Sequence, residues 1–437
     1  MAGKISQATA HPSSPLRGNI RAPGDKSISH RALIFAGIAA GNSRISGLLE
    51  GDDVLRTAAA MRALGAEIER DGTEFVVTGG PLRDPDHALY LGNSGTGVRL
   101  LMGVAAGAGV TAQFDGDASL RGRPMGRILE PLRAFGISTD DRNGCLPVTI
   151  SGATRGALNT TLAKPSAQVK SAILLAALGA TGTTRLHEPI LCRDHTERML
   201  EAFGVTLAFE DDGSGGRYIS IDGGQSLTPT DITVPGDPSS AAFPVAAAVM
   251  IPGSDICVRN VMINPTRIGF FETLKEMGAD LTFENQRFAG GEPVADIRAR
   301  HSVLHSVETP PERAASMIDE YPILAIIAAF ANGDTMMRGL EELRIKESDR
   351  IASVEAGLNA CGISTSSGDD WLCVSGGPAP QSTASIRTHH DHRIAMSFLI
   401  LGLAATSPIS IDDQSMIATS FPGFFDVMTA LGANIDC

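Results

Sequence analysis

The clearest regularity in the sequence is a long apolar segment that follows a polar loop and recurs six times. Five segments open with Asp or Ser and the other opens with Gly-Asn-Ser, and Asp, Asn and Ser are preferred at helix N-caps. The segments are apolar nearly all round, and this pattern predicts helices in the interior of the protein rather than on its surface. They occupy residues 25–41, 92–109, 166–182, 237–253, 319–333 and 391–407.

A second recurring element is a helix that ends in glycine and continues into a short alternating strand. Glycine adopts the left-handed conformation at a helix C-terminus without a steric penalty, so each of these glycines predicts a helix end. The two elements together predict six copies of about 70 residues, each with two helices and several short strands, and hence an α/β protein. The six glycines are Gly65, Gly136, Gly204, Gly278, Gly362 and Gly432.

The length of 437 residues predicts two or three domains. A grouping of the copies three and three would give two similar domains, whereas a plain solenoid is the competing layout. The buried helices favour compact domains, although composition alone does not decide the grouping.

Composition and charge exclude several classes of protein. A net charge of −13 argues against a sequence-independent nucleic-acid binder, which would carry the opposite bias. The N-terminus lacks an apolar signal core, and the longest apolar stretches are too short for a bilayer span, so a soluble cytoplasmic protein is expected. The six cysteines show no metal-binding spacing and are predicted to be reduced core residues: Cys145, Cys192, Cys257, Cys361, Cys373 and Cys437.

Candidate chemistry is concentrated in the loops that open the apolar helices. A helix N-terminus exposes unpaired N–H groups and a partial positive charge, so several of them together would bind an anion even in an acidic protein. The loops 24–31, 121–127 and 164–170 add Lys, Arg, Ser and Gln side chains, among them the ammonium groups of Lys164 and Lys170, that suit phosphate, carboxylate or hydroxyl groups. Ordinary helix caps and solvated basic loops would explain each of these loops about as well when taken singly.

Three further polar segments lie in the C-terminal half. Asp319 and Glu320 stand at the mouth of an apolar helix, where capping would account for one of them. The segment 344–350 is dense in both signs of charge, as a solvated helix face would also be. The segment 389–393 holds three histidines, but no second ligand cluster of suitable spacing accompanies it, so a helix cap is favoured over a metal site.

Taken together, these loops resemble one family, the EPSP synthases (5-enolpyruvylshikimate-3-phosphate synthases). Eight segments match in the family's order, from Pro23 to Ser397: PGDKSISHRA, LGNSGTGVRLLMG, GDASLRGRPMGRILEPL, SAQVKSAILLA, PGDPSSAAFPVAAA, IDEYPILA, RIKESDRI and DHRIAMS. The resemblance implies two globular domains of three βαβαββ-type repeats each, which face one another across a cleft that holds the active site. It implies a discontinuous domain of residues 1–20 plus 243–437 and a second domain of residues 21–242.

The resemblance also implies a reaction and its residues. The enolpyruvyl group of phosphoenolpyruvate would be transferred to the 5-hydroxyl of shikimate 3-phosphate, with release of phosphate and without a metal or organic cofactor. Asp319 and Glu347 match the family's acid–base pair, with Glu347 as the donor to carbon, Asp319 as the base and Lys26 as a further participant. The shikimate 3-phosphate contacts correspond to Lys26, Ser27, Arg31, Ser166, Ala167, Gln168, Arg193, Asp319 and Lys346. The phosphoenolpyruvate contacts correspond to Lys26, Gly95, Arg123, Gln168, Arg350 and Arg393. A monomer inhibited by glyphosate, without nucleic-acid or membrane partners, is the family expectation.

Departures from the common pattern point to the class II bacterial branch of the family. The last repeat reads Thr-Ser-Phe-Pro at 419–422, without the lysine that many members carry there, so that lysine's role is not carried over. The rival reading is the sister transferase that acts on UDP-N-acetylglucosamine, but residues 115–127 lack the reactive cysteine usual in that enzyme. A non-catalytic anion-binding repeat protein would explain the cations but not the two carboxylates beside them.

Overall fold

A computed structural model describes residues 6–381 and 384–437. The chain divides into two compact units. One, here called the terminal unit, holds the described residues up to Pro23, Pro235–Phe288 and the described residues from Glu292 to Cys437. The other, here called the central unit, holds Gly24–Val234 and Ala289–Gly291.

Short strands run through both units. The first twelve in chain order are β1 (Ala8–Ala10), β2 (Arg17–Arg21), β3 (Gly41–Ser46), β4 (Glu67–Asp71), β5 (Glu74–Gly79), β6 (Leu89–Tyr90), β7 (Ala112–Asp115), β8 (Ser138–Arg142), β9 (Cys145–Ser151), β10 (Asn159–Thr161), β11 (Thr183–Glu188) and β12 (Leu207–Asp211). The remaining strands are β13 (Arg217–Asp222), β14 (Ile232–Thr233), β15 (Asp255–Met262), β16 (Asp280–Ala289), β17 (Glu292–Arg300), β18 (Glu308–Thr309), β19 (Gly333–Arg338), β20 (Thr365–Ser367), β21 (Trp371–Gly376), β22 (Ala384–Ile386), β23 (Ile409–Ile411) and β24 (Ile435–Asp436).

These strands form six four-stranded sheets in the described part of the chain, one for each predicted copy. The central unit has the orders β14-β3-β5-β4, β6-β7-β9-β8 and β10-β11-β13-β12, and the terminal unit has β16-β17-β15-β2, β18-β19-β21-β20 and β22-β23-β1-β24. In each sheet one outer pair is parallel and the next pair is antiparallel, as where Thr160 pairs with Leu186 and Leu186 with Ile219. The repeated strand order confirms the predicted α/β class and its six copies.

Six helices form the interior of the two units. They are α1 (Lys26–Ile38), α3 (Gly95–Ala108) and α6 (Ala167–Ala177) in the central unit, and α8 (Pro238–Met250), α11 (Tyr321–Ala328) and α13 (His392–Ala404) in the terminal unit. The other helices are α2 (Asp52–Ala63), α4 (Ala118–Arg121), α5 (Gly126–Ala134), α7 (His195–Ala202), α9 (Gly269–Glu276), α10 (Ala314–Met317), α12 (Arg350–Ala360) and α14 (Phe424–Ala430), with 3₁₀ turns at Pro311–Arg313, Glu341–Ile345 and Ser415–Thr419. Every residue of α8 is buried, which confirms the prediction of interior helices.

The domain boundaries differ from those predicted. The chain passes between units at 23/24 and 234/235, and the short segment Ala289–Gly291 also belongs to the central unit, whereas the prediction placed the only crossings at 20/21 and 242/243. A crossing after residue 242 would cut α8 in two, and the whole of that helix packs in the core of the terminal unit.

Small residues allow the inner helices to approach closely. A Cβ atom added to Gly103 of α3 would lie 2.5 Å from the carbonyl oxygen of Ala172 in α6, a distance that real Cβ contacts do not reach. The two helices therefore pack backbone against backbone. This contact fixes the spacing between two of the loops that carry candidate binding residues.

The outer helices end as predicted. The six repeated glycines have positive φ angles between 79° and 115°. At Gly204 the amide donates to the carbonyl of Glu201 over 3.0 Å, and the next amide, of Val205, donates to Leu200 over 2.9 Å. The same pair of hydrogen bonds recurs at the other five glycines, and it turns the chain from helix into strand.

The predicted N-caps are confirmed for five of the six inner helices. Asp25, Ser94, Ser166, Asp237 and Asp391 each accept a hydrogen bond from a backbone amide in the first turn of the following helix. The capping expected at α11 is wrong, because Glu320 precedes that helix without a side-chain cap bond. The carboxylates at that helix start have other partners, described below.

Two findings concern the predicted compartment. No helix among the described residues is long and apolar enough to cross a membrane. All six cysteines are free thiols, but only Cys192 and Cys361 are buried, and burial raises the pKa of Cys361 to about 11. The prediction of core cysteines is therefore confirmed for these two only, because Cys145, Cys257 and Cys373 are partly buried and Cys437 is exposed.

Candidate functional site

The loop before α1 carries the first candidate cations. Asp25 caps the helix by accepting from the amide of Ile28 over 2.8 Å, and this cap fixes the residues that follow it. The Lys26 ammonium lies 2.9 Å from a carboxylate oxygen of Asp53, and its side chain is about a quarter exposed. Lys26 is therefore anchored on α2 and also reaches solvent.

Arg31 lies deeper in the same helix and connects three elements. Its Nε donates to Thr196 in α7 over 2.8 Å and one terminal nitrogen donates to Ser171 in α6 over 2.8 Å. The other terminal nitrogen donates to the carbonyl of Ser27 over 3.0 Å. Arg31 is 2% exposed. Through these hydrogen bonds it connects the starts of the three helices, and it also adds positive charge there.

The glycine-rich loop before α3 lies against the arginine-rich loop. Arg123 donates to the side-chain oxygen of Asn93 over 2.5 Å, while its buried Nε has no hydrogen-bond partner among the described residues. A buried cationic N–H without a partner is costly, and an anionic ligand would satisfy it. Of the other arginines of this loop, Arg121 is exposed and pairs with Asp115 over 2.5 Å.

Gly95 is the first residue of α3 and lies beside two guanidinium groups. A Cβ atom at this position would lie 2.9 Å from a terminal nitrogen of Arg99 and 3.0 Å from one of Arg123. The absence of a side chain therefore keeps open the space in front of these cations.

The start of α6 is joined to the same loop. Gln168 donates through its amide nitrogen to the Thr96 hydroxyl over 3.0 Å. Ser166 caps α6, so Ala167 is the first residue of the helix and presents a free N-terminal amide group there. The structure thus brings Gly95, Arg123, Ser166 and Gln168 into one region of the central unit, as the motifs predict.

The predicted use of the Lys170 ammonium for a ligand is wrong. Lys170 is completely buried, and its ammonium lies 2.6 Å from Glu188 and 2.7 Å from Glu197. Arg217 lies 2.8 Å from the second oxygen of Glu188 and 2.7 Å from Glu197. We call Lys170, Glu188, Glu197 and Arg217 the four-charge cluster. No sequence motif predicts it, because its members come from α6, β11, α7 and β13.

Mutual pairing keeps this cluster charged. Burial alone would lower the pKa of Lys170, but the neighbouring carboxylates raise it to about 12. Burial alone would raise the pKa of Glu188, but the Lys170 charge holds it below its usual value. Two positive and two negative charges therefore balance inside the third sheet of the central unit.

The terminal unit collects its charges around Arg350, the first residue of α12. The guanidinium of Arg350 is 1% exposed and lies 2.6 Å from Glu347, 3.3 Å from Asp319 and 2.9 Å from Asp391. Burial alone would lower its pKa, and these three carboxylates raise it above the ordinary value. Lys346 lies 3.4 Å from the same oxygen of Asp319.

Arg393 occupies the start of α13 next to this group. Its guanidinium lies 3.5 Å from a buried oxygen of Glu320, whose second oxygen has no partner among the described residues. The hydroxyl of Ser239 in α8 also donates to Glu320. Glu320 therefore joins the starts of two inner helices, a role that capping arguments missed.

The sequence offered two interpretations of Asp391, a helix cap and part of a run of histidines that could bind a metal. In the structure it caps α13 through the amide of Arg393 at 2.9 Å and binds Arg350 through Nε. Burial alone would raise the pKa of Asp391, but the Arg350 charge lowers it. The side chain of His390 is 78% exposed. These observations favour the helix-cap reading.

A buried histidine in helix α1 makes the stability of the fold depend on pH. His30 is fully buried and its Nδ1 lies 2.8 Å from the Thr57 hydroxyl. Burial lowers its pKa from 6.5 to about 3, so between these values the unfolded chain binds a proton that the folded chain does not. The free energy of unfolding should therefore fall with falling pH in this window, by up to about 1.4 kcal/mol per pH unit.

Denaturant titrations between pH 7.5 and pH 4 test this expectation. His30→Gln should flatten the pH profile of the unfolding midpoint relative to the parent. His87→Gln, which alters an exposed histidine, should leave the slope unchanged. Parallel profiles for the parent and His30→Gln would contradict the assignment.

The fold, the polar loops at its inner helix starts and the charges around Arg350 define a class of protein. Each unit has three repeats, and the loops at the starts of its inner helices carry Lys, Arg and hydroxyl groups suited to anionic small molecules. In the terminal unit these cations are mixed with paired carboxylates able to move protons. The class is therefore that of an enzyme acting on phosphate- or carboxylate-bearing metabolites.

Comparison with known proteins identifies the family. The family model described as EPSP synthase (3-phosphoshikimate 1-carboxyvinyltransferase) matches residues 10–428. A 3-phosphoshikimate 1-carboxyvinyltransferase from Chelativorans sp. is 54% identical over 98% of this chain and 97% of the relative, and one from Caulobacter vibrioides is 54% identical over 97% of both. The solved EPSP synthase structure from Acinetobacter baumannii has a TM-score of 0.87 at 43% identity, covering 98% of this chain and 99% of that one.

The chain belongs to the EPSP synthase family, which confirms the resemblance read from its eight motifs. Its enzymatic class is that of the 3-phosphoshikimate 1-carboxyvinyltransferases, and this is favoured over the UDP-N-acetylglucosamine alternative. The enolpyruvyl transferase NikO from Streptomyces tendae has a TM-score of 0.77 at 22% identity and shows only the shared fold.

Proposed function

We propose that this chain transfers the enolpyruvyl group of phosphoenolpyruvate to the 5-hydroxyl of shikimate 3-phosphate and releases phosphate. The observation that carries the proposal is the Arg350 group, in which one buried guanidinium contacts both Asp319 and Glu347 beside Lys346. An anion-binding protein without catalysis would have no need of paired carboxylates at its cations.

Shikimate 3-phosphate is assigned mainly to loops of the central unit. Its phosphate and hydroxyl groups suit the ammonium, hydroxyl, amide and guanidinium groups of that unit. The assigned residues are Lys26, Ser27, Arg31, Ser166, Ala167, Gln168 and Arg193, together with Asp319 and Lys346 of the terminal unit.

Phosphoenolpyruvate carries a phosphate and a carboxylate, so several cations are needed to bind it. Arg123 supports this assignment because its Nε is buried without a partner among the described residues. The assigned residues are Lys26, Gly95, Arg123, Gln168, Arg350 and Arg393.

The chemistry is an addition followed by an elimination. In the addition, the 5-hydroxyl oxygen bonds to C2 of phosphoenolpyruvate, Asp319 takes the hydroxyl proton, and Glu347 gives a proton to the methylene carbon. In the elimination, the methyl group returns one proton to Glu347 while the bond from C2 to the phosphate oxygen breaks, so that the C2–C3 double bond re-forms and the electrons of the broken bond leave with inorganic phosphate. Three carboxylates meet two cations around Arg350, and one proton on Asp319 or Glu347 would balance their charges. Lys26 is placed as a further participant in proton transfer.

Phosphate release from phosphoenolpyruvate tests the proposal. The purified chain is incubated in EDTA with either shikimate 3-phosphate or UDP-N-acetylglucosamine as acceptor. Release with the shikimate ester alone is expected, and it would also show that no chelatable metal is needed. Silence with both acceptors from folded protein would refute the proposal and return the anion-binding reading.

Gly95→Ala should weaken the binding of glyphosate more than the binding of phosphoenolpyruvate. We place glyphosate in the phosphoenolpyruvate site, where the added methyl group would press on Arg99 and Arg123 and narrow the space in front of them. The ratio of the glyphosate inhibition constant to the KM for phosphoenolpyruvate should rise about tenfold or more.

Gly80→Ala is the matched control, because a Cβ atom there meets nothing within 4 Å. Steady-state inhibition of both variants and the parent gives the ratios. An unchanged ratio for Gly95→Ala would contradict the placement of glyphosate.

The proposal also includes three further properties: the chain belongs to the class II branch, it is a monomer, and it is located in the cytoplasm. Gel filtration of the purified chain tests the monomeric state.

A further inference from the structure

The four-charge cluster takes no part in the proposed chemistry. Lys170, Glu188 and Glu197 are not among the residues assigned to a substrate, and their side chains, with exposures of 0%, 0% and 2%, are paired within the cluster. Their charges are balanced within the cluster, which therefore adds no net positive field. Its function has to be sought in what it holds in place.

Two side chains of the cluster form hydrogen bonds with both backbone groups of one residue, Cys192. Glu188 accepts from the backbone amide of Cys192 over 2.9 Å and from its thiol over 2.9 Å. Lys170 donates to the backbone carbonyl of Cys192 over 3.2 Å. Both backbone groups of Cys192 are thus bound by buried charged side chains, whereas Ile190 and Leu191 just before it are about half exposed.

The chain continues from Cys192 directly to a proposed substrate contact. Arg193 follows Cys192, and α7 begins two residues later at His195. On the other side, Lys170 lies in the first turns of α6, whose start carries Ser166 and Gln168. The cluster therefore connects the loop of Arg193 to the helix start that holds other proposed shikimate 3-phosphate contacts.

We propose that Lys170 and Glu188 are positioning residues for the acceptor substrate: they fix the Cys192–Arg193 peptide against α6 so that Arg193 and the start of α6 bind one molecule together. This inference rests on the proposed function. Because Arg193 is assigned to shikimate 3-phosphate alone, removing the hydrogen bonds to Cys192 should selectively weaken the binding of that substrate.

Two double variants separate positioning from stability. Lys170→Met with Glu188→Gln removes one positive and one negative charge and leaves an acceptor for the Cys192 amide. Lys170→Met with Glu188→Met removes the side-chain hydrogen bonds to both the carbonyl and the amide of Cys192. Both leave Glu197 paired with Arg217, so neither strands an unpaired charge. The control is Asp255→Asn with Arg298→Met, which removes a bidentate ion pair of 2.9 and 2.8 Å in the terminal unit.

Three measurements are made on each full-length variant: calorimetric binding of shikimate 3-phosphate, the KM for phosphoenolpyruvate, and hydrogen exchange of the peptide containing Cys192. The Kd for shikimate 3-phosphate should rise about tenfold in the double-Met variant and less in the milder one. Exchange at residues 190–194 should accelerate in the same order. The KM for phosphoenolpyruvate should change less than about twofold, and the control should match the parent in all three.

Equal losses for both substrates would mean a merely structural role and overturn the inference. Unchanged binding of shikimate 3-phosphate in a folded variant with faster hydrogen exchange at residues 190–194 would overturn it as well. The hydrogen bonds to Cys192 would then have no effect on substrate binding. A parent chain that itself fails to bind shikimate 3-phosphate would instead refute the proposed function, and the inference with it. The milder variant keeps the test decisive if the double-Met variant does not fold.

Discussion

Asp319→Asn should lower kcat by about 10²- to 10⁴-fold, the range typical of removing a general base, with little change in the KM for phosphoenolpyruvate. The substitution keeps the size of the side chain and its ability to accept from Arg350 and Lys346, which lie 3.3 and 3.4 Å away. It removes the capacity to take the hydroxyl proton, together with the negative charge that pairs with these two cations. Rapid-quench or steady-state phosphate release measures the loss.

Two variants frame this prediction. Glu347→Gln should give a loss of similar size, because the two carboxylates act on opposite ends of the same reaction. Glu308→Gln alters an exposed carboxylate that pairs with Arg338 and should retain full activity. Binding of shikimate 3-phosphate by Asp319→Asn shows whether the site is still formed. An Asp319→Asn enzyme with near-parental kcat would remove Asp319 from the catalytic pair.

Lys170→Met alone should destabilise the protein by about 3–5 kcal/mol, the cost of leaving buried charges without their partner. Lys170 is the central cation of the four-charge cluster, with Glu188 at 2.6 Å and Glu197 at 2.7 Å. After the substitution, two buried carboxylates share only Arg217. Chemical denaturation followed by circular dichroism, with calorimetry to resolve separate transitions of the two units, measures the change.

Adding Glu188→Gln to Lys170→Met should recover most of this lost stability, because the remaining pair is again neutral. Arg185→Met provides the comparison at the surface, since Arg185 pairs with the exposed Glu210 and should cost less than about 1 kcal/mol. Equal costs for Lys170→Met and Arg185→Met would show that burial of the cluster has no energetic consequence.

The repetition in the fold was predictable because its signals are local. A glycine such as Gly204 ends a helix through its own left-handed conformation, and an Asp such as Asp25 caps a helix through a hydrogen bond three residues away. Such interactions depend on near neighbours in the chain, so the pattern of six copies could be read from one sequence. The order of strands was not local: β1 and β14 complete sheets whose other strands lie far away in the chain.

The candidate site was predictable only where its residues lie in dense motifs. The cations near 26–31, 123 and 346–350 stand out because charge is concentrated at helix starts. The capping role expected at α11 was wrong because Glu320 is bound by Ser239 and Arg393, partners about 80 residues before it and 73 after it. Lys170 was taken for a ligand-facing cation because a sequence does not show which side of a helix its neighbours cover.

The sequence by itself determined the α/β class, the six copies, the helix ends and the family, since periodicity, caps and motif order are carried by residues near one another in the chain. The tertiary structure decided which charges are paired. It placed Arg350 among Asp319, Glu347 and Asp391, and it enclosed Lys170 with two glutamates from other elements. The physical reason is that the energy of a charge depends on its burial and on partners that only folding brings within about 3 Å.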